Sequence, residues 1–119
     1  MVVPITVLLA GAHLPEVQAL HQAVESVRVT RNSRKVEAYV GHVAILLKKI
    51  LAGQKASTAA QETAAKGGLV LDPRESDPVV ACYIDQNYAS LLHFLAKYDG
   101  FEEALLANAN AGGENVHRG

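Results

Sequence analysis

The sequence predicts an all-α protein, a compact multi-helix orthogonal bundle, and three observations predict it. Apolar residues recur at three- and four-residue intervals along most of the chain, short Gly-, Pro- or Asn-marked breaks separate the patterned segments, and no run finds an evident partner strand. With 119 residues there is material for one domain, spanning 1–119, since a chain of this size buries roughly two thirds of its unfolded surface.

The elements follow in order. Met1 to Gly11 is apolar and interrupted by Pro4, so it reads either as a short buried helix or as an extended lead-in segment. It lacks the cationic start of a signal peptide and is too short to span a bilayer, so a soluble chain is expected. Pro15 suits a first helical turn, Glu16 suits the positive end of the helix dipole, and Val17, Leu20, Val24 and Val27 supply one buried stripe. Thr30 to Ser33 reads as a connector in which Asn32 or Ser33 accepts a bond from the amides of the next helix. That next helix has the clearest pattern: Val36, Tyr39, Val40, Val43, Leu46, Leu47 and Ile50 form a continuous face. Lys48 and Lys49 compensate its negative end and Gly53 terminates it.

Thr58 and Gln61 have capping-box spacing, which predicts an Ala-rich helix running to the Gly67-Gly68 break. Asp72-Pro73 through Asp77-Pro78 reads as a polar loop, its second Asp-Pro pair serving as N-cap and first-turn proline; Asp72, Glu75 and Asp77 are expected to solubilise and cap. Val79 to Ile84 has the composition of a buried strand, but the longer pattern of Val80, Ile84, Leu91, Leu95 and Tyr98 predicts helix. Asp99 and Glu102 then have capping-box-like spacing, with Phe101, Leu105 and Leu106 anchoring one more short helix.

Half the residues are hydrophobic, 19% are charged and the net charge is -1, which exclude a disordered chain and offer no broad electrostatic footprint for nucleic acid. The single cysteine, Cys82, forms no internal disulfide; it fits a reducing, cytoplasmic compartment and, within Val79-Val80-Ala81-Cys82-Tyr83-Ile84, reads as a buried small hydrophobe rather than a nucleophile. His13, His21, His42 and His93 form no i,i+4 pair, so none suggests zinc, and each is read as a partly exposed structural histidine. Tyr83, Asp85, Asn87 and Tyr88 make a polar band expected to hydrogen-bond inside the fold. No nucleophile elbow or phosphate loop of the Lys-Ser/Thr type occurs.

The chemistry-bearing segment is the tail, Asn108-Ala109-Asn110-Ala111-Gly112-Gly113-Glu114-Asn115-Val116-His117-Arg118-Gly119. Gly112-Gly113 permits a tight turn and close approach of backbone to a ligand, while amide and carboxylate oxygens suit a hard cation or ribose hydroxyls. His117 and Arg118 can donate charge-assisted bonds to a phosphate. The other reading of the same residues is a helix C-cap followed by a frayed terminus.

The run from Leu105 to Gly119 resembles the conserved segment of the ADP-ribosylglycohydrolase family, especially its crystallin-like branch. Ser26 to Ser33 is similar to a loop between helices of that family, and Cys82 to Tyr98 to the helix before its Gly-Gly loop. The resemblance implies an all-helical protein, of which this chain is a C-terminal part, that hydrolyses ADP-ribosyl bonds with bound magnesium. It implies Glu114 as a metal ligand, and Asn110, Gly112, Gly113, Asn115, His117 and Arg118 as residues facing ADP-ribose. The family's Asp-x-Asp-Thr run is here Glu114-Asn115-Val116-His117, and its N-terminal acidic cluster has no counterpart in this sequence. Val116 brings no side-chain oxygen, and a His117 nitrogen is a poor ligand for Mg²⁺. The alternative expectation is therefore a non-catalytic crystallin-like or interaction scaffold with a degenerate metal site. Without the acidic cluster the isolated chain is expected to be inactive, apolar helix faces meant for a missing half would make it prone to oligomerise, and neither a nucleic acid nor a membrane partner is expected.

Overall fold

The computed structural model describes residues 2–113, and they are helical as expected: six helices occur among the described residues, with no strand. In order they are α1 (Val2–Gly11), α2 (Glu16–Arg28), α3 (Arg34–Leu51), α4 (Ala56–Lys66), α5 (Ile84–Lys97) and α6 (Phe101–Asn110). The chain divides into two compact units, Met1–Gln54 and Lys55–Gly119. No helix among the described residues is long and apolar enough to cross a membrane.

In the first unit α1, α2 and α3 pack pairwise around Leu9, Ala23, Val27, Val40 and Ala44, flanked by Ile5, Leu14, Leu20, Val24 and Val36. The opening segment is thus a helix and not an extended strand. Pro4 is tolerated because it stands in the first turn, where its missing N–H would have had no intrahelical partner. The α2 stripe is centred differently from the expected one. Val17 is 81% exposed. It lies about 100° round the helix from the midpoint of Ala23 and Val27 at ~100° per residue, and the small Ala23 holds the centre that a search for large side chains passes over.

The expected end of α3 is present in full. Gly53 has φ +93°, its amide donates to the Ile50 carbonyl, and the Gln54 amide donates to the Lys49 carbonyl, a Schellman motif. Its start is capped by the Ser33 backbone alone, with no side-chain bond. Arg28 at the end of α2 instead grips the Glu37 carboxylate in the first turn of α3 with two 2.8 Å bonds.

In the second unit α4 packs on α5, and α6 packs on α5. The buried positions of α4 are Ala59, Ala60, Thr63 and Ala64, one face of small side chains, with the Thr63 hydroxyl donating to the Ala59 carbonyl at 2.7 Å. The helix stops where the Gly67-Gly68 pair predicts, through a second Schellman motif: Gly68 donates to Ala65 and Leu69 to Ala64. Its start differs from expectation. Lys55 is the N-cap and Thr58 lies inside the first turn, so the Thr58–Gln61 spacing is not a capping box.

The segment before α5 departs further from the pattern. Val79 to Tyr83 are not helical, α5 begins at Ile84, and Val80 forms an isolated parallel β-bridge with Gly113. Pro78 disfavours helical backbone at Asp77, and the Asp77 carboxylate is engaged elsewhere rather than capping. Cys82 is consequently exposed, not buried. At α6, Gly100 is the N-cap and the Asp99 side chain pairs with Lys55 at 2.9 Å, so Asp99 and Glu102 form no capping box. Phe101, Leu105 and Leu106, the expected anchors, are exposed, and α6 has no buried residue.

Candidate functional site

The turn after α6 is the part of the predicted site that the described residues include. Asn110 is the last residue of α6 and is exposed. Gly112 and Gly113 follow with φ +77° and +79°, two consecutive residues in the left-handed region. Glu114, Asn115, His117 and Arg118 lie outside the described residues.

The two glycines are needed for different reasons. A Cβ on Gly112 would meet nothing within 4 Å, so only its backbone conformation calls for glycine. On Gly113 a Cβ would lie 2.5 Å from the Val80 carbonyl oxygen and 3.0 Å from the Val80 nitrogen, inside any real contact distance. The turn therefore leaves α6 by passing directly against the backbone of the 77–81 segment.

That segment is fixed to the C-terminal end of α5 by side chains. Asp77 Oδ1 accepts from Lys97 Nζ at 2.7 Å and lies 3.2 Å from His93 Nε2, while Oδ2 accepts from the Tyr98 hydroxyl at 2.7 Å. Lys97 Nζ also donates to the Glu75 carbonyl at 2.9 Å. His93 is buried, its ring edge-on to Phe94, and Phe94 stacks on Tyr98 with centroids 6.1 Å apart. Asp77 thus reaches across to α5, contrary to the solubilising and capping role expected of it, and His93 is a buried partner rather than a partly exposed histidine. Asp72, by contrast, keeps a local role, accepting from the Arg74 amide and guanidinium.

Burial pushes the Asp77 carboxyl up, but the bonds from Lys97, Tyr98 and His93 outweigh it and hold the group below the ordinary carboxylate value. The same bond to Asp77 raises Lys97 and Tyr98 above their ordinary values. At neutral pH the cluster is an ion pair with hydroxyl support.

Farther along, the Ala81 amide donates to Gln86 Oε1 at 3.1 Å, and Asn87 Nδ2 donates to the Ala81 and Tyr83 carbonyls, each at 2.9 Å. Of the expected polar band, Asn87 therefore bonds backbone within the fold, while Tyr83 and Asp85 are exposed.

Two other places have less to offer. A cleft in the first unit, lined by Thr6, Leu9, Glu16, Leu20, Ala44 and Lys48 among others, holds about 20 Å³, room for a water molecule and not for a nucleotide. No group of three or more His, Cys, Asp or Glu side chains that would hold a metal ion occurs among the described residues, and the amide of Asn110 and the backbone oxygens of the turn do not make a magnesium site unaided.

Compared with protein families, curated proteins and solved structures, the chain matches none.

Proposed function

We propose that the chain carries the ribose- and phosphate-facing turn of an ADP-ribosylglycohydrolase-like helical protein, one that cleaves ADP-ribosyl bonds by hydrolysis. The observation that supports this reading is the pair Gly112-Gly113. Two successive left-handed glycines, one of them seated against a neighbouring backbone, are what a chain needs to bring its main-chain amides close to a sugar or phosphate. A frayed helix end has no need of the second glycine.

In this reading Asn110 and Asn115 meet ribose hydroxyls through their amides, and His117 and Arg118 donate charge-assisted bonds to the pyrophosphate. Glu114 supplies the one carboxylate of the run, suited by its chemistry to a magnesium ion or a ribose hydroxyl; when bound, the ion would polarise the scissile centre. The single cysteine fits a reducing, cytoplasmic compartment, and the substrate class is an ADP-ribosylated acceptor.

A second reading is favoured by Val116 and His117, which stand where the family places an acidic residue and a threonine. It keeps the helical scaffold and the nucleotide-facing turn and gives up catalysis, as a crystallin-like or interaction role allows.

Calorimetric titration of ADP-ribose, with and without Mg²⁺, combined with release of ADP-ribose from an ADP-ribosylated peptide, tests both. Heat with ADP-ribose that disappears in Gly113→Ala supports the nucleotide-facing turn, and release of ADP-ribose then separates the enzyme from the scaffold. No heat with ADP-ribose under either condition overturns both.

A further inference from the structure

We infer that Asp77 is a positioning residue for the Gly112-Gly113 turn, acting through Val80; its consequence for ligand binding rests on the reading of that turn given above.

The geometry is that of a backing strip tied down at both ends. At one end, Asp77 is held by His93 and Lys97 from the last turns of α5 and by Tyr98, the residue that follows it. At the other, the backbone of Ala81 is held in both directions by Gln86 and Asn87 from the first turn of α5. Pro78 stiffens the strip between these ties by fixing its own φ and restricting Asp77 to extended backbone.

Val80, three residues after Asp77 and next to Ala81, is 9% exposed, and it is the residue that pairs with Gly113. Because Gly113 passes so close to the Val80 backbone, any slackening at Asp77 is transmitted to the turn directly, over three residues, without passing through the α4–α5 core. The Lys97 bond to the Glu75 carbonyl grips the chain on the other side of Asp77, so the tie is to a short stretch of backbone rather than to one carboxylate.

The test is amide hydrogen exchange on the whole chain, read at Gly112 and Gly113 and at Leu92 as an internal reference, for the natural protein, Asp77→Ala, Asp77→Asn and Tyr98→Phe. Asp77→Ala is expected to speed exchange at the two glycines about tenfold or more relative to Leu92. Asp77→Asn, which keeps an acceptor oxygen, should recover part of that, and Tyr98→Phe, which removes one donor, should give about a two- to threefold rise. Tyr98→Phe keeps the reading intact if Asp77→Ala fails to fold. Equal acceleration at Leu92 and the glycines, or unchanged glycines, overturns the positioning role. ADP-ribose affinity measured on the same proteins should weaken about tenfold in Asp77→Ala. If the glycines respond while the natural protein shows no affinity for ADP-ribose, the positioning role stands and the nucleotide reading falls.

Discussion

Gly113 lies against Val80 as an isolated parallel bridge, so close that the missing side chain of one is what lets the backbone of the other pass. Its neighbour Gly112 has the same sign of φ and open space around it. The pair therefore separates two causes of glycine preference that usually occur together.

Alanine at the two positions should behave differently. Gly112→Ala meets only the left-handed backbone penalty, about 1 kcal/mol, whereas Gly113→Ala meets that penalty and a steric overlap that must displace the turn or the 77–81 strip. Urea unfolding combined with exchange at Ala81 reads both: the first variant should leave Ala81 protected and the second should not.

The α4 face is small because it is fully buried. Ala59 and Ala60 are both 0% exposed and Ala64 is 1% exposed. Ala60→Leu is expected to destabilise the protein by about 1–3 kcal/mol through overpacking, although leucine is an excellent helix former. An exposed position on the same helix, Gln61→Leu, should cost little, and a comparison of unfolding midpoints distinguishes packing from propensity.

In α3, Gly41 is buried, and a Cβ there would meet only the flexible end of Leu20 at 3.4 Å. Gly41→Ala should therefore stabilise the protein by about 0.5–1 kcal/mol, since it removes backbone freedom from the unfolded chain at little steric cost. A lower unfolding midpoint than the natural chain would show that Leu20 cannot give way.

The Asp77 cluster sets a pH window with a definite sign. A carboxyl held below its ordinary value of 3.8 contributes stability above that value, and the contribution is lost as pH falls through the depressed folded value. Lys97 and Tyr98, raised from 10.5 and 10.0, contribute below those values and lose their share as pH rises through the raised ones. Asp77→Asn should cost about 1–2 kcal/mol, nearly constant between about pH 5 and pH 9 and shrinking below about pH 4. Denaturant midpoints against pH for the two proteins check this, and a cost that persists unchanged into acid would assign it to packing.

How much of this was legible depends on how local the cause is. The ends of α3 and α4 were readable because Gly53 and Gly67-Gly68 carry the signal in the residue itself: a Schellman turn needs a left-handed residue and glycine supplies it. That α3 is a helix was readable from its apolar period, but its buried positions are Val40, Gly41, Ala44 and Leu46, so of the seven expected face residues only Val40 and Leu46 are buried. The strip at Val79 to Tyr83 was not readable, since its composition suits strand, helix or loop, and its conformation is decided by Asp77 partners 16 to 21 residues away. A hint existed in His93 and Lys97, which stand four residues apart on α5 and so share a face, with Asp77 among the acids upstream to meet them. Capping-box spacings at Thr58 and Asp99 misled because the helices start elsewhere, and spacing alone does not place a first turn. At the candidate site, the glycine pair was legible from its residue type, while Asp77 and Val80 act through the three-dimensional path of the chain.

The absence of buried residues on α6 has its own consequence. A helix of ten residues that carries Phe101 at 84% exposure and rests on α5 gains little from the hydrophobic effect, and on its own such a length is marginal in water. Besides its contacts with α5, it is flanked by the largely exposed Lys55–Asp99 ion pair ahead of it and the glycine bridge behind. Such a segment is expected to open ahead of the rest of its unit, with amide exchange along α6 faster than at Leu92.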